Sequence, residues 1–479
     1  MITFLVSALL LIGSYFTYAK YLEKVFETDE SKTTPAISLK DGVDYVPLPW
    51  YKIFLIQFLN IAGLGPIFGA VAGAMWGPVA FLWITFGCIF AGAMHDFLSG
   101  MMSLRMKGQS LPELIGEYLG NKTKILTTIV TLVLLVLVGA VFIMGPAKIL
   151  TMITPDYLDY TFWVIVIFIY YVLATLLPID KLIAKIYPIF GLALLIMAVG
   201  ISFTMLYNGV KIPELTISNL VNLHSNPEKF PIFPMLFVTI ACGAISGFHA
   251  TQSPMMARCI TNEKYGRRVF YGAMLSEGLV ALIWAAVAMG FFGTVKELNS
   301  VMTEHQGNAA YIVNLISTSL MGKIGGALAL LGVVACPITT GDTAFRSARL
   351  TLADFFNFSQ VSLKNRLILA IPLFVIAFIL TQVRFDVIWR YFAWINQSLS
   401  VITLWAITVY LLREHKNYWI SLIPALFMSA VCLSYILVAP EGFALNYNVA
   451  IITTIFILLI GALYYLINNF LLKKSPTNF

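Results

Sequence analysis

Apolar stretches of about 20 residues recur along this chain, the length that roughly 30 Å of hydrocarbon demands of a spanning helix. They lie at 2–20, 52–75, 77–104, 124–150, 159–178, 187–208, 232–254, 268–294, 324–340, 366–383, 386–412, 418–438 and 444–471. A bilayer satisfies no backbone amide or carbonyl, so each stretch must be helical to close its own hydrogen bonds. Of the 479 residues 59% are hydrophobic and only 11% charged, a balance that excludes a soluble globular fold. The expectation is an all-α polytopic membrane protein with about 13 transmembrane helices.

Lys and Arg gather on the cytoplasmic side of short loops. Assigning alternate sides between the stretches puts 23 of the 30 basic residues together, among them Lys24, Arg105, Lys181, Lys185, Arg267, Arg346, Arg413, Lys473 and Lys474. The other side keeps Lys148, Lys211, Lys229, Lys296, Lys323, Arg384 and Arg390. The N-terminus is thus expected outside and the C-terminus in the cytoplasm. The net charge of +7 follows from this topology and calls for no nucleic-acid partner; the lipid bilayer, with some anionic lipid, is the partner it implies. The first stretch has neither a basic leader nor a small-residue cleavage site, so it reads as a retained helix. Residues 21–49 read as a cytoplasmic connector. Ser110-Leu-Pro-Glu113 reads as a capped start of a short interfacial helix, with Pro112 and Glu113 in its first turn. A second interfacial helix is expected around Asn308–Met321.

Two stretches are interrupted. In the second, Gly63, Gly65 and Pro66 fall where no charge occurs between Lys52 and Asp96, so the break lies at bilayer depth. In the seventh, Phe237-Val-Thr-Ile-Ala-Cys-Gly-Ala-Ile-Ser-Gly-Phe-His-Ala-Thr-Gln-Ser-Pro254 fills with small and polar residues around Gly243 and Gly247. Freed backbone groups there must meet protein, water or a ligand. Close helix packing through glycine is the plainer explanation for either stretch alone. The two breaks begin five stretches apart and on opposite sides, as two five-helix units of inverted topology require. The expected division is an N-terminal helix and connector (1–50), a first repeat half (51–208), a second half (231–412) and two added helices (413–479). Facing half-helix ends offer positive dipoles to a carboxylate and carbonyls to a cation, which makes Asn60, Gly63, Gly65, Ser246, Gly247, His249 and Gln252 the candidate substrate residues.

Ionisable groups at membrane depth are costly and tend to be functional or paired. His95 and Asp96 are adjacent and about 100° apart on a helix, which argues against their holding one ligand together; Asp96 is expected either to pair with a base such as Arg258 or Arg349 or to handle an ion. His249 is a candidate for substrate contact or proton relay, or a core histidine. Thr339, Thr340 and Thr343 offer hard oxygen ligands and Asp342 a countercharge, unless the threonines bond back to their own helix. Glu277 and Lys148 stand isolated, and Asn396 and Gln397 either line a cavity or tie helices together. Cys88, Cys242, Cys259, Cys336 and Cys432 lack metal or disulfide spacing. There is no HExxH, P-loop or GxSxG motif, so no enzyme activity and no cofactor is expected.

Asp41-Gly-Val-Asp-Tyr-Val-Pro47, Ile61-Ala-Gly-Leu-Gly-Pro66, Gly92-Ala-Met-His-Asp96, Phe237 to Arg258 and Pro337-Ile-Thr-Thr-Gly-Asp-Thr343 together resemble the carbon starvation protein A family, over about residues 40–350. The resemblance implies a bacterial inner-membrane transporter of peptides or, in some members, pyruvate, with the LeuT-type inverted repeat of the amino acid–polyamine–cation superfamily. It also implies that the broken helices hold substrate and that the ninth span helps hold a cation, at the places here occupied by Ala62, Gly63, Thr339 and Thr340. The chain is shorter at its C-terminal end than the longer members. The function expected is proton- or sodium-coupled uptake of short peptides by alternating access. A pyruvate or other small-carboxylate symporter, a passive channel and a metal-ion transporter using His95, Asp96 and His249 are the alternatives.

Overall fold

A computed structural model describes residues 1–176, 183–305, 307–360, 362–383 and 385–472; Lys181, Arg384, Lys473 and Lys474 of the charge pattern lie outside the described residues. The architecture is helical from end to end. Its main helices are α1 (Ile2–Phe16), α2 (Trp50–Ile61), α3 (Ala93–Arg105), α4 (Leu111–Leu119), α5 (Asn121–Ile153), α6 (Tyr160–Leu176), α7 (Ile183–Tyr207), α8 (Phe237–Thr239), α9 (Gly247–Ala257), α10 (Gly272–Phe291), α11 (Ala309–Ala329), α12 (Cys336–Phe355), α13 (Leu363–Leu380), α14 (Phe385–Arg413), α15 (Trp419–Val438) and α16 (Tyr447–Leu472). Among the described residues, eight helices are long and apolar enough to cross a membrane, or nine if the bent pair Trp50–Ile61 and Gly65–Trp76 is one span.

The burial pattern is that of a protein solvated by lipid. Large apolar side chains such as Ile165, Val199, Phe203 and Ile452 point outward, while His95, Asp96, His249, Glu277, Arg346 and Arg349 are buried. In water the reverse arrangement would be favoured. The chain is a multi-pass membrane protein.

The packing is reciprocal. α2 packs on α7 as α9 packs on α14, and α3 packs on α9 as α10 packs on α2. Likewise α5 meets α13 as α12 meets α6, and α4 meets α14 as α11 meets α7. Wide π-helical turns precede both α3 (Trp83–Gly92) and α10 (Arg267–Tyr271).

Two expectations are corrected here. The ninth span does not end at residue 340: α12 runs on to Phe355 with Arg346 and Arg349 fully buried along it. The run of polar residues that marks a loop in a hydropathy profile is instead a polar inner face, with Asp44 of the N-terminal connector 3.6 Å from Arg346 and 3.9 Å from Arg349. The second is the cap of α4. Its start at Leu111 with Pro112 matches the expectation, but the Ser110 hydroxyl makes no capping bond, and Glu113 accepts from Lys124 at 2.6 Å. The helix expected around Asn308–Met321 opens at Ala309 and is interrupted at Gly322, where φ is 58°.

Basic residues collect at one end of the bundle. Arg105 bonds the carbonyls of Phe26 and Glu27 and the Glu263 carboxylate, Lys416 also reaches the Phe26 carbonyl, and Arg267 pairs with Glu23. At the other end Glu214 accepts from Thr3 and Asn299 ties to Met75 and Ser225.

Candidate functional site

Two broken helices meet at the centre. α2 stops at Ile61 and the chain resumes at Gly65, bent by 54°. Pro66 supplies no N–H to continue the ladder. A Cβ at residue 65 would stand 2.2 Å from the Cβ of Cys242, so glycine is what lets the first break touch the second. The second break runs from the end of α8 at Thr239 to Gly247, with Gly243 at φ +92°, a conformation L side chains rarely adopt. At Gly247 a Cβ would lie 2.4 Å from the Asn396 carbonyl and the Ser400 amide.

The freed groups of the second break are met by protein. The Trp83 indole donates to the Ile240 carbonyl (3.0 Å), and the Asn396 side-chain oxygen accepts from the Phe248 amide (2.7 Å) and the Ser246 hydroxyl (3.0 Å). Asn396 thereby caps α9 from another helix, a role an N-cap residue normally fills from within. Gln397 reaches the Phe237 carbonyl at 3.4 Å. Both residues tie helices together.

Beside the break lies a line of four ionisable side chains, all fully buried. Asp96 of α3 takes His95 Nδ1 on one carboxylate oxygen and His249 Nδ1 on the other, each at 2.8 Å. His249 Nε2 faces the Glu277 carboxylate of α10 at 3.3 Å. The order is His95, Asp96, His249, Glu277. Two expectations change. Asp96 pairs with two imidazoles, whereas Arg258 goes to Asp354 at 3.3 Å; one of the two is the adjacent His95, whose ring reaches the carboxylate across the roughly 100° between their Cα–Cβ bonds. Glu277 is not isolated, and Lys148 sits over the Phe385 ring at 4.6 Å. Cys242, read from sequence as a small core residue, belongs to the same site: its sulfur and ligand atoms of His249 and Glu277 lie within 4.8 Å of one another.

Along α2 and α9 the polar groups are short of partners. Both amide atoms of Gln57 and Asn60, and the Gln252 oxygen, are buried without a hydrogen bond. Each such group costs about 1–3 kcal/mol unless something polar arrives to satisfy it. The α12 threonines are engaged on their donor side: Thr339 and Thr340 donate to the Cys336 carbonyl, Thr340 also reaches the Leu59 carbonyl at 3.0 Å, and Thr343 donates to the Thr340 carbonyl. Thr340 thus joins α12 to the last turn before the first break, close to Ala62 and to Gly63, where a Cβ would meet the Thr340 hydroxyl at 3.4 Å and the Phe142 ring at 2.7 Å. Asp342 accepts from Tyr187 of α7. The sequence-predicted residues therefore fall into two groups: His95, Asp96, Ser246, Gly247 and His249 at the second break, and Asn60, Ala62, Gly63 and the α12 threonines at the first. Gly65 stands where they touch.

The model of the family described as carbon starvation protein CstA matches residues 1–156 and 151–324. This chain belongs to that family. The CstA-family chain is 41% identical over 350 residues to a protein of Haemophilus influenzae described as an uncharacterized membrane protein, covering 63% of this chain and 94% of that one. It is 26% identical over 549 residues to the Escherichia coli peptide transporter CstA (86% and 77% of the two chains). To the E. coli pyruvate/proton symporter BtsT it is 30% identical over 330 residues, 56% of this chain and 46% of that one. Its fold resembles MhsT crystallised with L-phenylalanine (TM-score 0.57, 14% identity, 86% and 98% covered) and the Eremococcus coleocola manganese transporter (TM-score 0.50, 12% identity, 90% and 98% covered). The family membership expected from the five motifs is borne out.

Proposed function

We propose that this chain is a secondary active transporter that takes up short peptides together with a proton, by alternating access around the paired helix breaks. One observation carries the reading: a single imidazole, His249, lies between two buried carboxylates, Asp96 on Nδ1 and Glu277 on Nε2. The two ring nitrogens are chemically distinct, so such a histidine receives a proton on one face and releases it on the other, and intramembrane ionisable chains of this kind suit proton relay. Sodium coupling through Thr339, Thr340 and Asp342 is the competing form of this reading: those hydroxyls donate to carbonyls and keep their lone pairs for a cation.

Thirteen crossings, ten of them in two inverted five-helix repeats at 51–208 and 231–412, fit the reciprocal packing: every cross-half contact described above recurs with the halves exchanged. The gathering of basic side chains at one bundle end supports a cytoplasmic C-terminus, an external N-terminus and residence in a bacterial inner membrane. Under this reading the unpartnered amides of Gln57 and Asn60 and the unpartnered Gln252 side-chain oxygen hold the substrate's peptide groups, and the helix start at Gly247 faces its carboxylate. The names of the E. coli relatives support both a peptide and a pyruvate substrate. Uptake of labelled di- and tripeptides beside pyruvate, in proteoliposomes under imposed gradients, tests the proposal; accumulation of pyruvate alone moves the assignment to a small-carboxylate symporter.

A second reading has its own observation. Ligand atoms of Cys242, His249 and Glu277 lie within 4.8 Å of one another, close enough for one divalent cation as cargo. Stoichiometric Mn²⁺ or Zn²⁺ binding by the purified protein, lost in Cys242→Ser, would favour it over the peptide reading.

A further inference from the structure

We infer that the flank of the bundle between α1, α2 and α10 is a binding site for an anionic phospholipid, with Arg268 taking the headgroup phosphate. A groove of about 540 Å³ opens there, lined among others by Ile12, Phe16, Trp50, Tyr51 and Leu279, with Arg268 at its edge. Ile12, Phe16 and Tyr51 are about half exposed, as surface wetted by acyl chains would be. Trp50 and Tyr51 are the residue types that settle at the headgroup boundary of a membrane.

The charge selects the ligand. Arg268 is exposed and holds its guanidinium 4.8 Å above the Trp50 ring. Among the described residues no carboxylate lies within ion-pair distance of it, and the neighbouring Glu23 is taken by Arg267 at 3.0 Å. A stacked, pre-oriented guanidinium with free donors matches a phosphate in fork geometry. The comparison within the same molecule is informative: a second flank groove of about 270 Å³, between α6 and α13, is lined by Phe168, Val172, Ile371, Phe374 and Phe378 with no charge at all. That groove suits any acyl chain. The Arg268 groove lies at the basic end of the bundle, which in the proposed orientation is the leaflet rich in anionic lipid. Arg268 takes no part in the relay or the substrate contacts proposed above, so its test does not depend on the substrate.

The test is quenching of Trp50 emission, taken as the difference between wild type and Trp50→Phe, by brominated phosphatidylglycerol or brominated phosphatidylcholine in mixed vesicles. Half-quenching by phosphatidylglycerol is expected at a several-fold lower mole fraction than by phosphatidylcholine, with the preference lost in Arg268→Gln and reduced in Arg268→Lys, which keeps the charge but not the fork. Native mass spectrometry of the same proteins should find one phosphatidylglycerol fewer retained on Arg268→Gln. Equal quenching by the two lipids in the wild type, or an unchanged preference and unchanged lipid retention in Arg268→Gln, would overturn the assignment.

Discussion

Glu277 is the residue whose loss is most diagnostic. Glu277→Gln keeps the shape but removes a carboxylate from the end of the relay, so proton-driven accumulation should fall to the level of facilitated exchange while substrate counterflow persists; radiolabel uptake with and without a pH gradient measures both. Loss of counterflow as well would make Glu277 a binding group. Asp96→Ala leaves His95 and His249 without their shared acceptor. Removing one partner from a buried ionic network typically costs about 3–5 kcal/mol, so this variant should unfold at markedly lower temperature in detergent. His224, in the loop at the opposite end from the basic cluster, makes a separate prediction. Its ring packs between Trp76 (4.6 Å) and Phe230 (4.5 Å), and burial lowers its pKa from 6.5 to about 4. Between those values the unfolded loop binds more protons than the folded one. The stabilisation is therefore complete above pH 6.5 and is lost as pH falls towards 4. Protection factors of residues 222–230, with the intrinsic pH dependence of amide exchange divided out, should fall across that window in the wild type and stay flat in His224→Phe. Sequence made Asp96 and His249 visible as expensive intramembrane groups, but not their partner. A lone glutamate with no ionisable neighbour within one helical turn acquires His249, 3.3 Å away, only in the folded bundle, and the search for an opposite charge pointed to arginines that the fold engages elsewhere.

At the scale of the helix, the breaks were legible because glycine and proline announce them locally. Their meeting was not, since nothing near Gly65 in the chain specifies Cys242. That contact gives a sharp contrast between glycines. Gly65→Ala puts a methyl 2.2 Å from the Cys242 Cβ and should cost most of the uptake along with a drop in thermal stability. Gly461→Ala, in α16 with nothing within 4 Å, should be neutral or stabilising by up to about 1 kcal/mol, as alanine is the better helix former. Asn396 is the cap that sequence left between cavity lining and helix tie. Asn396→Ala removes the acceptor for Phe248 N and Ser246 and should cost about 1–2 kcal/mol, while Asn396→Asp, which keeps an acceptor, should recover most of it in the same thermal melt. The α12 helix shows why boundaries failed: hydropathy ends a span where charge begins, yet Arg346 and Arg349 lie within the helix because Asp44 of the connector packs against them.

The whole molecule is described by polar groups sealed inside an apolar bundle. His95, Asp96, His249, Glu277 and Asn60 are all buried, so under the proposed function one half must move against the other to expose them. Membrane class and helical architecture were readable from run lengths alone, since lipid leaves the backbone few choices. The proposed repeat needed the order of the breaks, and its support came from packing that no single segment encodes. Because His249 stands between two carboxylates at the centre, the central claim is that substrate moves with a proton through it. The most direct measurement is substrate-driven pH change in proteoliposomes without a pre-set gradient, using wild type, His249→Gln and a pyranine reporter trapped inside. Acidification of the lumen on adding dipeptide outside is the expected result, abolished in His249→Gln even where substrate exchange survives. Dipeptide entry with no pH change in the wild type, or an unchanged signal in His249→Gln, would contradict it.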